Sequence, residues 1–297
     1  MDMERSVACY RQWIADQEAG LAELEAASAK AAAGRATDAE LRALVARCMQ
    51  GYQDYVTGRR AVARDDGTAF VAPPWCTAFE RSMLWLGGCR PSLAIRLLYN
   101  VSGEGLEEQV EEFVDGRGPL PRGSMGITPR QIVLINDLHR RALHQEDALS
   151  NRLATLHEDI ADRPLLPIVR QRAAATAQLR AVGEGGGCDD REVGRLVVAG
   201  PGGVDAEVDA ALSSYRAVLA QLVAEADDLR MATARALATE ILTPRQAVEM
   251  LAAGKQLHLS VREWSRRTEG AGAQQQLNGP RAAVTANSTS SSACRNQ

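Results

Sequence analysis

The sequence predicts an all-α bundle of long antiparallel helices with a tight helical corner near residues 77–101. Of its 297 residues, 50 are alanine and only 12 are aromatic. Alanine has the lowest cost in a helix, whereas sheets favour β-branched and aromatic residues. Apolar residues recur at three- and four-residue steps along most of the chain, and helix-start and helix-stop signals divide this pattern into segments of helical length.

The first two helices are predicted over residues 3–33 and from residue 38 onward. The first has an apolar stripe at helical spacing, made of Val7, Tyr10, Ile14, Leu21 and Leu24. Gly34 ends it, and a capping box formed by Thr37 and Glu40 starts the second helix. Residues 64–75 contain an Asp-Asp-Gly run and a Pro-Pro pair, and are therefore predicted to form a loop.

The corner follows from a second capping box and two breakers. Thr77 and Glu80 start a short helix that is predicted to continue through Leu86. The glycine pair at residues 87 and 88 ends it, and Pro91 suits the first turn of the next helix. An acidic helix is predicted over 104–115, and residues 116–126 cannot continue it.

The second half begins each of two helices with the same four residues, Thr-Pro-Arg-Gln, at 128–131 and at 243–246. The repeat is explained either by a duplication or by the same helix-start chemistry used twice. The predicted helices are 128–163 (broken by Pro164 and Pro167), 168–182, 205–242 and 243–267. In the last helix the residues expected to face inward are Val248, Leu251, Leu257, Val261 and Trp264.

One helical domain is predicted over residues 5–267, with a flexible glycine-rich insertion at 183–203 and a disordered polar tail at 268–297. No run approaches the 18 apolar residues of a membrane span, and the N-terminus lacks an apolar signal core. We therefore expect no membrane association and a location in the nucleus, the cytoplasm or both. The formal charge of −4 argues against general binding of nucleic acid.

The residues with catalytic or metal-binding potential do not form a recognisable set. His139 and His144 are five residues apart and lie on different helix faces, and His157-Glu158 lacks the second histidine of a zinc motif. No nucleophile motif and no phosphate-binding glycine loop is present. We therefore predict that the protein is not an enzyme and has no metal site. His258 alone fits either a structural role or an axial haem ligand, and the heptad-like stripes leave a homodimer open.

Several segments, taken in order, resemble one plant family. The strongest is Phe79–Tyr99, FERSMLWLGGCRPSLAIRLLY. Others are the Tyr10–Trp13 segment, the Phe70–Trp75 loop, the His157–Asp162 helix end and the Ala253–His258 segment. Together they resemble the delay-of-germination domain, which is also the C-terminal part of TGA-type bZIP transcription factors. The resemblance covers about residues 5–265.

The resemblance implies a non-enzymatic adaptor in seed dormancy and abscisic-acid signalling that binds type 2C protein phosphatases. Carried over, Tyr10 and Trp13 belong to the phosphatase-facing segment, with first-helix core as the alternative. The resemblance also implies a haem site, because haem-binding relatives carry two histidines four residues apart in the last helix. His258 matches the first histidine, but Arg262 stands at the second position, where it would pair with a haem propionate. No basic region or zipper precedes Tyr10, so direct DNA binding is not expected. Two alternatives stay open: a haem- or small-ligand-binding sensor, and a role in transcription regulation through a partner or as a TGA-like regulator.

Overall fold

A computed structural model describes residues 3–63, 67–103, 125–183 and 202–278, and its regular structure in these ranges is helical. The predicted all-α class is confirmed. In chain order the helices are α1 (Met3–Ala32), α2 (Asp38–Ala63), α3 (Thr68–Val71), α4 (Ala78–Ser82), α5 (Pro91–Ser102), α6 (Pro129–Ile160), α7 (Leu166–Gly183), α8 (Gly202–Arg235) and α9 (Pro244–Asn278). The predicted helix 104–115 and the insertion 183–203 lie, apart from Gly183 and residues 202–203, outside the described residues.

Two groups of long helices make up the bundle. Helix α1 packs along both α2 and α9, and α6 packs along α8. The pairs are antiparallel, because residues early in one helix meet residues late in the other, as in the 2.9 Å hydrogen bond from Gln131 Nε2 to the carbonyl of Ile241. Helix α5 joins the groups through contacts with α6, α8 and α9.

The main core lies where α2, α5, α6 and α9 meet. Its least exposed side chains come from all of these helices and from the end of α8, and they include Val45, Ile95, Leu98, Ile132, Ile135, Leu237 and Val248. These residues fall on the apolar stripes that the sequence predicts, because burying one face of each helix supplies most of the stability of such bundles.

The predicted capping boxes form, and the two Thr-Pro-Arg-Gln segments touch. Thr128 Oγ1 accepts a hydrogen bond from the backbone of Gln131, and Thr243 makes the equivalent bond with Gln246. Gln131 Nε2 also donates to Gln246 Oε1 at 2.8 Å, in the interior. The repeated segment therefore joins the starts of α6 and α9.

The corner differs from the predicted one. Helix α4 ends at Ser82, and residues 85–88 form a tight turn closed by hydrogen bonds between Trp85 and Gly88. Leu86 and Gly87 have φ angles of 45° and 74°, which a helix cannot contain. Two arginines hold the turn: the buried Arg59 donates to the carbonyl of Gly87, and the partly exposed Arg230 to those of Trp85 and Leu86.

Three further differences concern helix ends. The predicted loop 64–75 contains α3. Pro164 does not end the helical segment. It lies in a π-helical turn over Ala161–Leu165 that leads into α7. Such a turn replaces the regular α-helical hydrogen bonds that a proline would disrupt. Helix α9 continues to Asn278, beyond the predicted end at residue 267.

The last helix also differs in which residues it buries. Leu257 and Trp264, both expected to face inward, are 49% and 58% exposed. Val248 and Leu251 are buried as predicted, but further along the helix the inward positions are taken by polar residues, Lys255, Arg262 and Ser265, all of them buried. Among the described helices none is long and apolar enough to cross a membrane.

Candidate functional site

The residues singled out in the sequence meet along one contact, which we call the α1–α9 seam. It is lined by Tyr10, Trp13, Gln17, Lys255, His258 and Arg262. Each helix contributes positions i, i+3 and i+7, which lie on one helix face. The helices are antiparallel, so Tyr10 meets Arg262, Trp13 meets His258, and Gln17 meets Lys255.

A buried charge network closes one end of the seam. Arg262 Nη1 donates to Tyr10 Oη at 2.9 Å and to Glu80 Oε1 at 3.0 Å. The guanidinium also lies over the Tyr10 ring, 4.9 Å from its centroid. Tyr10 is only 8% exposed. Its side chain therefore belongs to the interior and ties α1 to α9 and α4.

Glu80 serves two purposes in this network. Its Oε2 accepts the backbone N–H of Thr77 at 2.7 Å, which completes the cap of α4, while Oε1 accepts from Arg262. Burial opposes ionisation of Glu80, but the Thr77 N–H and the Arg262 guanidinium outweigh it and hold the pKa of this carboxyl below its usual value. Burial raises the pKa of the Tyr10 phenol, so Tyr10 stays protonated.

Aromatic rings occupy the middle of the seam. The Trp13 indole stacks on Tyr55, with the ring centroids 4.2 Å apart and the ring planes at 18°. It also packs at a tilt against Tyr52, with 5.4 Å between the ring centroids. On its other side lies His258, at 6.4 Å. Trp13 is half-buried. The seam thus holds Trp13 in a fixed orientation while part of its ring faces solvent.

A buried lysine and a half-buried histidine lie beside these rings. Lys255 Nζ donates to Gln17 Oε1 at 2.9 Å and lies 4.9 Å from the centre of the Tyr52 ring. Burial lowers the pKa of Lys255. Burial also lowers the pKa of His258; Glu80 opposes this shift, while Arg262 and Lys255 add to it. His258 therefore favours its neutral form at pH 7.

The seam does not fit a haem of the kind that the resemblance implies. Arg262 is buried and its guanidinium is engaged by Glu80 and Tyr10, so it is not available for a propionate. The His258 ring faces Trp13, and no second histidine lies one turn along α9. Within the described ranges no group of three or more His, Cys, Asp or Glu residues is placed to hold a metal ion.

Sequence reasoning identified Tyr10, Trp13, His258 and Arg262 but not the residues that hold them. The capping box with Thr77 identifies Glu80 in the sequence. The hydrogen bond that Glu80 accepts from Arg262 in α9 has no local sequence pattern. Lys255 shares the spacing of His258 and Arg262, which marks one helix face. The sequence does not predict that Lys255 is buried, because lysines are almost never fully buried without a partner, and the structure shows that it is.

Comparison with known proteins agrees with the resemblance. Residues 20–100 match the family model described as "DOG1: Seed dormancy control". Protein DOG1-like 3 of Arabidopsis thaliana is 31% identical over 263 residues, which cover 87% of this chain and 83% of that protein. Protein DOG1-like 1 of the same plant is 30% identical over 279 residues, covering 88% and 89%. Transcription factor TGAL10 of Oryza sativa subsp. japonica is 32% identical over 160 residues, covering 54% of this chain and 34% of that protein.

Proposed function

The chain belongs to the DOG1-like family of seed-dormancy proteins, and on that premise we propose that it is a non-enzymatic adaptor in abscisic-acid signalling that binds type 2C protein phosphatases. The family model and the TGA relatives support a seed-dormancy, TGA-like regulator. The phosphatase partner and the signalling pathway are the proposed part. We place its action in the nucleus, the cytoplasm or both, since the partial TGA relatives are transcription factors.

The observation that carries the proposal is the setting of Trp13. Its ring is half-buried and fixed by stacking on Tyr55, so little side-chain freedom is lost when a partner covers the rest of it. Exposed polar residues flank it on α1: Arg11, Gln12 and Asp16. A rigid tryptophan inside a polar surround is the usual form of a binding hot spot. Tyr10 is buried and acts by positioning α1 through Arg262.

The experiment is a pull-down of a purified type 2C phosphatase by the full chain and by Trp13→Ala. We expect the variant to lose phosphatase binding and to keep its helical circular dichroism. Trp264→Ala is the matched control, because it removes an exposed tryptophan from α9 outside the seam. Unchanged binding by Trp13→Ala would assign Trp13 to the core alone and remove the proposed contact.

Tyr10 requires a separate variant, since its ring is part of the interior. Tyr10→Phe keeps the ring over Arg262 and removes only the hydroxyl that Arg262 contacts. We expect this change to weaken phosphatase binding less than Trp13→Ala does, because the hydroxyl positions α1 without touching the partner.

The TGA relatives favour a second candidate, regulation of transcription through a partner protein. They match only about half of this chain. An electrophoretic mobility shift with duplex DNA tests it. We expect no shift by the chain alone and a shift when a TGA-type bZIP protein is added. A sequence-specific shift by the chain alone would contradict this candidate.

A further inference from the structure

Arg59 is a buried residue of α2 that lies one helical turn after Tyr55, the ring on which Trp13 stacks. Its Nη1 donates to the carbonyl of Gly87, and its Nη2 donates to Oδ1 of Asp227, which is also buried. Leaving either charge in the interior without its partner would be costly. The guanidinium of Arg59 therefore has a fixed position.

The same guanidinium lies over two aromatic rings. Its central carbon is 5.9 Å from the centre of the Tyr55 ring and 5.7 Å from the centre of the Phe70 ring. Arginine is attracted to ring faces at such distances, because the face of the ring is its negative side. Tyr55 also stacks on the Trp13 indole, with 4.2 Å between the ring centroids. The Tyr55 ring is therefore the link through which a shift of Arg59 would reach Trp13.

These contacts continue back to α1. The Phe70 ring packs edge-on against Trp75, with 5.6 Å between the ring centroids, and Trp75 packs at a tilt against Tyr10 at 6.3 Å. Tyr10 lies three residues before Trp13 in α1. Six side chains thus form a closed series of contacts, which we call the ring circuit: Tyr10, Trp13, Tyr55, Arg59, Phe70 and Trp75. Through its hydrogen bonds, Arg59 anchors this circuit to α8 and to the turn at residues 85–88.

We propose that Arg59 is a positioning residue for the Trp13 contact: through Tyr55 it fixes the orientation in which α1 presents the indole to a partner. This inference rests on the proposed function, in which Trp13 meets the phosphatase. Arg59 itself is buried, so it acts on the partner only through Trp13. A side chain that is already held in its bound orientation loses less freedom on binding, and the affinity of the complex rises accordingly.

The chemistry of the arginine side chain suits this role. Its planar guanidinium donates to two acceptors in fixed directions while its face lies on an aromatic ring. The ammonium of a lysine keeps the positive charge for Asp227, but it is a point charge without that plane. Arg59→Lys should therefore disturb the geometry at Tyr55 and Phe70 more than it disturbs the charge balance of the interior.

The experiment follows Trp13 directly, by fluorine NMR of the full chain labelled with 5-fluorotryptophan. The chain has four tryptophans, and Trp13→Phe identifies the resonance of Trp13 among them. In Arg59→Lys we expect this resonance to shift or split, and binding of a purified type 2C phosphatase to weaken about two- to tenfold. The matched control is Arg60→Lys, because Arg60 is the next residue and pairs with Asp228 of α8, outside the ring circuit. It should leave both measurements unchanged.

Further variants keep the test independent of the stability of Arg59→Lys, and helical circular dichroism shows that each one is folded. Phe70→Leu removes one ring from the guanidinium and keeps both of its hydrogen bonds, so it should change the Trp13 resonance less than Arg59→Lys does. Tyr55→Leu removes the link itself and should give the largest change. Tyr55→Phe keeps the ring and should give the smallest.

Three results would overturn the proposal. They are a Trp13 resonance that neither Arg59→Lys nor Phe70→Leu changes, an equal change in Arg60→Lys, and phosphatase binding that Arg59→Lys leaves unchanged although the resonance moves. The proposed function fails separately, if the unsubstituted chain does not bind the phosphatase. The fluorine resonances would then still show whether Arg59 sets the orientation of Trp13.

Discussion

The indole of Trp13 and the imidazole of His258 lie 6.4 Å apart between ring centroids, although they come from opposite ends of the chain. The residue expected to face a phosphatase and the residue expected to face a haem therefore belong to one contact. A change in the charge of His258 acts directly on the surroundings of Trp13. Protonation of His258, the stability of the fold and the proposed partner contact of Trp13 therefore all depend on the α1–α9 seam.

The first prediction concerns pH. His258 is half-buried, and partial burial with the charges of Arg262 and Lys255 nearby holds its pKa below the ordinary value of 6.5, against the opposing charge of Glu80. The unfolded chain then binds the proton more readily than the folded one, so stability is full above about pH 6.5 and falls as the pH drops toward the folded pKa. Urea unfolding at several pH values should show this loss, and His258→Gln should flatten it. Glu80, whose pKa is lowered, contributes its stability above the ordinary carboxyl value of 4.5, and that contribution is lost as the pH falls from there toward the folded pKa.

The second prediction concerns the buried ion pair. Arg262→Met leaves Glu80 inside without its cation, and we expect it to lower the free energy of unfolding by about 3–5 kcal/mol. The control is Arg267→Met, which removes an exposed pair with Glu263 and should cost about 0–1 kcal/mol. If chemical denaturation gives equal losses for the two variants, the Arg262–Glu80 contact does not hold the seam. The double variant Arg262→Met, Glu80→Gln should be less destabilised than Arg262→Met alone.

The third prediction concerns haem. Since Arg262 is engaged by Glu80 and Tyr10, we expect haem titration to give the same absorbance spectra for the full chain and for His258→Ala. A Soret shift that His258→Ala removes would contradict this and would support a haem-sensing role instead. A bound haem would also have to displace Trp13, so its tryptophan fluorescence offers an independent reading.

The fourth prediction compares two glycines with similar backbone angles. Gly87 has φ of 74°, and an added Cβ would lie 2.6 Å from the carbonyl oxygen of Phe70. Gly34 has φ of 67° with no atom within 4 Å of that position. Gly34→Ala should therefore cost only the backbone strain, about 1–2 kcal/mol, whereas Gly87→Ala adds a clash and should cost clearly more in thermal or chemical unfolding. Equal losses in the free energy of unfolding would show that the turn at residues 85–88 can shift to relieve the clash with Phe70.

The sequence was sufficient for most of the helical framework, because caps, prolines and apolar stripes act locally. The capping boxes at Thr37, Thr77 and Thr128 all form as predicted. The turn at residues 85–88 was missed, because apolar residues continue through it as they would in a helix. The backbone there is set by distant arginines, Arg59 and Arg230, and no local pattern reveals them.

The candidate site was partly predictable. Family-like segments pointed to Tyr10, Trp13, His258 and Arg262, but not to their meeting in one seam. The inward face of α9 was predicted correctly at Val248 and Leu251, which are buried, but wrongly at Leu257 and Trp264, because apolarity alone assigned it. Lys255 and Arg262 take interior positions by means of Gln17, Tyr52, Tyr10 and Glu80, which lie far away in sequence, and so Leu257 and Trp264 are left outside.

The seam also has a consequence for synthesis of the chain. Helix α1 is synthesised long before its polar partners Lys255 and Arg262 in α9. Until then α1 can pack on α2 and contact Trp75 and Glu80, but Gln17 lacks its hydrogen bond from Lys255 and Tyr10 lacks the one from Arg262. A premature stop before residue 255 would yield a chain whose helix α1 never completes its packing and leaves its α9-facing side exposed to aggregation.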